Sequence, residues 1–315
     1  MVFVKQIPDY NWTCTWTSHM GCLKAGAEKL GLEHTLSWIF GGTGHAFIIN
    51  IHPTGCSSGP TAWGTERLFK LGNNLGYHIT GICTSKRKPG FESLQSKAFS
   101  HIKHALDKGL PCYGWELDIP EFYCIAGYDE VGYYYSGPTA PKTTGPKRWS
   151  DLGDTDIGLL EVYSMERCTG ASDALVVKEA LEFALEHAAA PAKWIYPGYT
   201  SGLQAYDVWL AAVDLEKPDL LGLGYNAAVW HECRNYAVQF LKEASERLDS
   251  HELFADAINY YENVEGHLSN LKELYPFPPD PARLRDKDDA IAALRKAKEA
   301  EARGLDALRI LCGAL

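Results

Sequence analysis

The stretch Asn11-Trp-Thr-Cys14-Thr-Trp-Thr-Ser-His19-Met-Gly-Cys22-Leu-Lys-Ala-Gly-Ala-Glu-Lys-Leu-Gly31 decides how the rest of the chain is interpreted. A polar, threonine-rich segment leads into a predicted helix with apolar residues on one face, Leu23, Ala27 and Leu30. Gly31 stands where a helix C-terminus favours a left-handed residue. We expect Cys14 at the start of this helix, where the positive end of the helix dipole favours thiolate over thiol.

Two interpretations of the cysteines stay open at this point. In the first, Cys14 is a reactive nucleophile, while Cys22 lies about two turns into the helix and packs. In the second, both are small core residues, because unreactive cysteine is among the most buried residue types.

Composition excludes several classes of protein. The 315 residues carry a formal net charge of −10, with 40 acidic and 30 basic residues, which argues against a nucleic-acid or anionic-membrane surface. No run of about 18 apolar residues occurs, so we expect no membrane partner and no transmembrane helix. The nine cysteines are odd in number and lack paired spacing, and the N-terminus does not look like a secretory leader. These features predict reduced thiols and a cytoplasmic protein.

The first half of the chain is predicted to mix helices and strands. Three glycines at 41–44 precede an apolar run and indicate a turn that leads into a strand, not a phosphate loop. Further strands are predicted at 77–83, 110–115, 122–126, 133–135 and 157–162, and helices at 64–76 and 91–108. The proline-containing segment 138–146 is predicted to be an exposed loop. This order indicates an α+β fold and not an alternating βαβ series.

The second half is predicted to be helical. Apolar residues recur at helical spacing in 171–190, 203–213, 225–248, 253–274 and 286–311, and prolines separate some of these segments. We therefore predict two domains, an α+β domain at 1–168 and an all-helical domain at 169–315.

No metal or cofactor site is predicted. His19 with Cys22, and His101 with His104, are spaced three apart, but neither pair has companions that would complete a zinc site. The sequence His231-Glu232-Cys233 lacks a second histidine at the spacing of a zinc helix.

Several short motifs resemble the papain-like fold. They are the cysteine helix ending in Leu-Gly, the glycine-rich turn with Gly44-His-Ala-Phe47, Gly59-Pro-Thr61, Gly109-Leu-Pro111 before a strand, and Ile125-Ala-Gly-Tyr-Asp129. The closest variants are the bacteriocin-processing peptidases and the N-terminal domain of the butirosin acyltransferase family, to whose bacterial relatives the stretch 201–209 is also similar. The resemblance covers most of the chain and implies a papain-like domain followed by a helical domain.

Active members of such families use a Cys–His pair, with an acid or amide that orients the histidine. The resemblance places the histidine near Glu121, where this sequence has no histidine, and the acid near Ser136, which is not an acid. Either His45 supplies the imidazole from another loop, or Glu121 acts as the base, or the site is inactive. We rank His45 ahead of Glu121, because a carboxylate would raise the pKa of a neighbouring thiol.

Thiol-dependent acyl transfer by Cys14 is therefore the first functional hypothesis. The predicted catalytic set is Cys14, His45 and Glu121, and the predicted substrate contacts are Trp16, Trp63, Tyr128 and Asp129. The expected partner is a small molecule or peptide, with a carrier-bound acyl group as one option, and the sequence leaves homo-oligomerisation open. The alternative is a non-catalytic binding protein with a degenerate papain-like cleft.

Overall fold

The computed structural model describes residues 4–189, 191–280 and 287–315. The chain has a mixed α+β architecture, with an antiparallel sheet and a helical C-terminal region. It forms two compact units. Unit 1 comprises the chain up to Thr35 together with Gly76–Gly170, and unit 2 comprises Leu36–Leu75 and Ala171–Leu315.

The elements follow in chain order. The first part contains β1 (Lys5–Gln6), α1 (Ser18–Lys29), α2 (Leu36–Gly42), β2 (Asn50–Ile51), α3 (Glu66–Asn74), β3 (Tyr77–Ser85), α4 (Phe91–Asp107), β4 (Cys112–Trp115), β5 (Phe122–Tyr128), β6 (Gly132–Gly137), β7 (Ala140–Arg148) and β8 (Leu159–Arg167). The second part contains α5 (Asp173–Ala189), α6 (Pro191–Trp194), β9 (Thr200–Ser201), α7 (Leu203–Asp214), α8 (Leu220–Arg247), α9 (His251–Leu274) and α10 (Lys287–Ala314). In the described part of the chain, no helix combines the length and the apolar character that a membrane span requires.

Unit 1 is built on one antiparallel sheet with the strand order β3-β8-β4-β5-β6-β7, and β1 pairs with the end of β5. Helices α1 and α4 pack on opposite faces of this sheet. Met165 of β8 lies against Gly26 of α1, whereas its neighbour Ser164 contacts His101 of α4. Successive strand residues point to opposite faces, so the two helices sandwich the sheet.

Helix α1 begins at Ser18 and not at Cys14 as the sequence predicted. Thr17 keeps an extended conformation, with φ −87° and ψ 91°, and ends the preceding loop. That loop lies so close to the helix that a Cβ on Gly21 would stand 2.2 Å from the Thr13 carbonyl oxygen. The predicted C-terminal glycine is confirmed, since Gly31 adopts φ +73° just beyond the helix.

Two local predictions in the first half of the chain are wrong. The segment predicted as a loop at 138–146 contains most of β7, which pairs with β6 alone at the edge of the sheet. An edge strand tolerates proline, because one side of its backbone needs no ladder hydrogen bond. The strand expected after the glycine-rich turn is only the short β2, Asn50–Ile51. The residues before it are not extended, because Leu36–Gly42 is helical and His45–Phe47 forms a short 3-10 helix.

Unit 2 contains the predicted C-terminal helices and also residues 36–75. The predicted domain boundary at 168/169 lies close to the observed division between Gly170 and Ala171, but the prediction placed 36–75 in the first domain. These residues pack in the helical unit because Gly41 leaves room for the ring of Phe240, and Ser37 donates a hydrogen bond to Glu243. Pro281 and Asp286, which the sequence placed at the end of a proline segment and the start of the last helix, lie outside the described residues.

Candidate functional site

The first turn of α1 meets the start of β5 through Ser18. The hydroxyl of Ser18 donates a hydrogen bond to Oε2 of Glu121, and it accepts one from the backbone N–H of Phe122 at 2.9 Å. Ser18 is 2% exposed. Its hydroxyl hydrogen and one of its oxygen lone pairs are therefore both engaged within the protein.

Ser136 of β6 and Trp12 of the loop before α1 lie next to this contact. The Ser136 hydroxyl accepts a hydrogen bond from the Trp12 backbone N–H at 2.9 Å. The indole Nε1 of Trp12 donates to the Ser18 carbonyl oxygen at 3.0 Å. These bonds fix the loop against the helix start.

His19 continues the contact on the sheet side. Its ring stacks on Phe122 at a centroid distance of 4.2 Å, and its Nε2 lies 3.2 Å from the Tyr113 hydroxyl. His19 is 5% exposed. Consecutive residues of α1, Ser18 and His19, thus contact Phe122 at the start of β5, and Ser18 also binds Glu121 just before that strand.

Cys14, the predicted nucleophile, lies in the loop before α1. Its side chain is exposed, and its thiol makes no hydrogen bond or ion pair with any residue that the structure describes. Cys14 stands four residues before the first residue of the helix, so it lies outside the first turn, where the helix dipole acts. Trp16 is partly buried in the same loop.

Cys22, the other candidate thiol, is completely buried in α1. Burial raises its pKa well above the ordinary value, and a contact with Cys124 adds to the increase. A buried thiol that resists ionisation is a packing residue, as the sequence suggested for this position.

Two further predicted residues, Tyr128 and Asp129, have structural contacts in the β5–β6 hairpin. The Asp129 carboxylate accepts hydrogen bonds from the backbone N–H groups of Val131 and Gly132 at 2.8 and 2.9 Å, which closes the turn. The Tyr128 hydroxyl donates to Asp107 at 2.8 Å on the surface. These bonds account for both side chains without a substrate.

His45 and Trp63 lie in unit 2, whereas the other predicted site residues lie in unit 1. His45 is buried, with its Nδ1 3.6 Å from the Cys233 sulfur and its ring 5.6 Å from that of Trp63. Burial lowers the pKa of His45 to about 3, and neighbouring His187 contributes to the decrease. A histidine this reluctant to accept a proton does not form an imidazolium–thiolate pair with Cys233.

Sequence reasoning missed Ser18 and Cys233 for different reasons. Ser18 follows a threonine and precedes the apolar periodicity, and serine and threonine are the residues that typically start helices, so the start could have been recognised. Cys233 is 188 positions from His45 in the sequence, and no spacing rule connects them.

Within residues 4–189, 191–280 and 287–315, no three His, Cys, Asp or Glu side chains converge as metal ligands. Comparison with known proteins does not assign the chain to a family. No protein-family model matches the chain, and no curated protein matches it.

Proposed function

We propose that unit 1 is a non-catalytic module that binds a small molecule or a peptide beside the start of α1, in a degenerate papain-like arrangement. The observation that carries the proposal is the bonding of Ser18. Its hydroxyl stands at the helix start where a papain-like nucleophile would stand, yet it serves Glu121 and the Phe122 N–H.

The three positions that would carry catalysis support this proposal together. A serine occupies the helix start, Glu121 occupies the expected place of the histidine, and Ser136 occupies that of the orienting acid. The Ser136 hydroxyl is also engaged within the protein, since it accepts a hydrogen bond from the Trp12 backbone N–H. A nucleophile needs an accessible lone pair and a base that can take its proton, and the buried Ser18 hydroxyl is not presented to solvent.

One observation favours a second candidate, acyl transfer through Ser18. A hydroxyl that donates to a carboxylate has the polarity of a nucleophile–base pair. The earlier hypothesis of acyl transfer through Cys14 has only the exposure of that thiol in its favour.

Acyl donors separate these candidates. The full chain, Ser18→Ala and Cys14→Ser would each be incubated with an acetyl thioester and with p-nitrophenyl acetate, and covalent adducts would be followed by intact-mass and peptide mass spectrometry. We expect no ester at Ser18, and acylation of Cys14 no faster than that of the free thiol of N-acetylcysteine amide under the same conditions. Turnover that Ser18→Ala or Cys14→Ser abolishes would contradict the proposal.

A further inference from the structure

Beyond the first turn of α1, the sheet face on which this helix packs carries a row of side chains that includes Glu161, Tyr163, Tyr113 and Trp115. Cys83 of β3 is paired with Glu161 of β8, and Trp115 of β4 is paired with Phe122 of β5. The pair Tyr113 and Tyr163 joins β4 to β8 one step further along. Since Glu161 and Trp115 each lie two residues from this pair, they point to the same face as the two tyrosines.

Glu161 is a desolvated carboxyl group without a cationic partner. It accepts a hydrogen bond from the Tyr163 hydroxyl at 3.0 Å and another from the Cys83 thiol, and both donors are neutral. Among the residues that the structure describes, no Lys, Arg or His lies within ion-pair distance of it. Burial raises the pKa of Glu161 above its ordinary value. The carboxyl group is thus held by neutral donors, although it is largely withdrawn from water.

The Cys83 thiol keeps its proton in this cluster. Partial desolvation against the sheet raises the pKa of this surface thiol to about 11, with Glu161 adding to the increase, although Lys88 opposes it. The protonated thiol therefore acts as a hydrogen-bond donor to Glu161 and leaves no negative charge of its own beside the carboxyl group.

Aromatic side chains share the sheet face of Glu161. The rings of Tyr113 and Tyr163 lie 5.2 Å apart, and Trp115 contacts Phe122 at 5.1 Å. Gly81 makes room for this arrangement, because a Cβ there would stand 2.5 Å from Cδ1 of Tyr163. Tyrosine and tryptophan faces attract cations, most strongly where water is excluded.

Trp115 supplies a second, independent observation. It is 5% exposed, and its indole Nε1 has no hydrogen-bond partner in the described part of the chain. Buried N–H groups are almost always bonded, so an unpaired one indicates an acceptor that is supplied from outside the fold. Glu161 remains partly accessible and Cys83 is exposed, so the row is open to solvent at the β3 side.

We propose that Glu161, Tyr163, Tyr113 and Trp115 bind an organic cation, the ammonium or guanidinium group of an alkyl amine or of a lysine or arginine side chain. The carboxylate neutralises the charge, the aromatic side chains contact it, and the Trp115 N–H is available to a hydrogen-bond acceptor on a ligand that carries one. The inference rests on the proposed function, since it names the ligand that unit 1 binds. His19, bonded to Tyr113, connects this row to the contact between Ser18 and Glu121.

The test uses the ¹⁵N-labelled full chain and the indole N–H resonance of Trp115, assigned with Trp115→Phe. Butylammonium, agmatine and N-acetylarginine amide are titrated separately, with 1-butanol as the neutral counterpart. We expect a saturable shift with at least one cation and none with the alcohol. A stronger response to the two free amines points to a small molecule, and a stronger response to the arginine derivative points to a peptide.

Glu161→Gln should weaken this binding at least tenfold. Glu166→Gln is the matched control, because Glu166 is exposed on the opposite face of the same strand. Tyr163→Phe retains the carboxylate and should bind within a few-fold of the parent, which keeps the test decisive should Glu161→Gln fold poorly. Equal affinity in Glu161→Gln, loss of binding in Tyr163→Phe alone, or no saturable shift with any cation would overturn the inference. None of these outcomes involves covalent chemistry at Ser18 or Cys14, so they can be told apart from a failure of the proposed function.

Discussion

Ser18 and Glu121, 103 positions apart in the sequence, are joined by a hydrogen bond from the serine hydroxyl to the glutamate carboxylate. This bond attaches the start of α1 to the start of β5, and the Phe122 N–H completes it from the backbone. A serine and a glutamate thus hold together the start of α1 and the start of β5.

The contact should contribute to stability as well as to local geometry. Ser18→Ala leaves the buried Phe122 N–H without its acceptor and Glu121 without one donor, and such losses cost about 1–3 kcal/mol each. We expect a fall in the free energy of unfolding of that order, measured by urea denaturation. Ser100→Ala, at an exposed serine of α4, is the control and should change little. Equal free energies of unfolding for the two variants would show that the Ser18 contact does not stabilise the fold.

Placing a thiol at the helix start tests how residue 121 affects ionisation at position 18. In Ser18→Cys the thiol would lie beside the Glu121 carboxylate, whose charge opposes ionisation. In Ser18→Cys combined with Glu121→His, an imidazole replaces that charge and the helix dipole favours thiolate. We expect the new thiol of the double variant to react with iodoacetamide at a lower pH than that of the single variant. Identical pH profiles for that cysteine would mean that residue 121 does not control the ionisation of a group at position 18.

Much of the fold was accessible from sequence, because it depends on local patterns. The helix ending at Gly31, strand β3, helix α4, the β5–β6 hairpin and the C-terminal helices all follow from periodicity and turn residues. The errors arose where a neighbouring strand or unit decides the structure. The prolines of β7 are tolerated only because that strand lies at a sheet edge, which the sequence does not reveal.

The candidate site was harder to predict than the fold. Thr13 and Thr15 resemble helix-starting residues as much as Thr17 and Ser18 do, so the helix start was placed four residues early. The partners of Ser18 and Glu161 come from other strands, and their pairing depends on sheet register. Register is a property of the assembled sheet and cannot be obtained from residue spacing alone.

The buried ion pair of unit 2 offers a separate test of stability. Arg234 donates to Glu301 through Nε at 2.8 Å and also binds the carbonyl oxygens of Ala46 and Ile48, each at 2.9 Å. Both side chains of the pair are almost completely buried. Arg234→Met leaves Glu301 buried without its counter-ion, and breaking such a pair costs about 3–5 kcal/mol.

Combining Arg234→Met with Glu301→Leu should cost less than the sum of the two single variants, because no isolated charge remains. Lys298→Ala, which removes the exposed pair with Asp207, should cost about 1 kcal/mol or less. Urea denaturation of the five proteins measures all of these values. Strict additivity of the Arg234 and Glu301 variants would contradict a coupled pair.

Unit 2 should lose stability in mild acid through its buried histidines. Burial lowers the pKa of His45 to about 3 and that of His187 to about 4. The unfolded chain takes up these protons below its ordinary histidine pKa near 6.5, whereas the folded chain does not, so the free energy of unfolding falls as the pH decreases from there. The slope should approach about 1.4 kcal/mol per pH unit for each histidine.

Denaturation curves recorded between neutral pH and the lower pKa values would reveal this slope. His187→Phe should make it shallower, whereas His52→Asn, at a half-buried histidine whose ring bonds to Thr54 at the surface, should leave it as it is. An unchanged slope in His187→Phe would show that this histidine is not the source of the acid sensitivity.

The most direct test of whether the Ser18 hydroxyl is available as a nucleophile is its reaction with a fluorophosphonate. Peptide mass spectrometry locates the site of attachment. These reagents phosphonylate a serine whose hydroxyl is both activated and accessible, and the Ser18 hydroxyl is engaged with Glu121 and Phe122 inside the protein. We expect no adduct on Ser18 under conditions that fully label a serine hydrolase. A stoichiometric adduct on Ser18 that disappears in Ser18→Ala would contradict it and identify unit 1 as an enzyme.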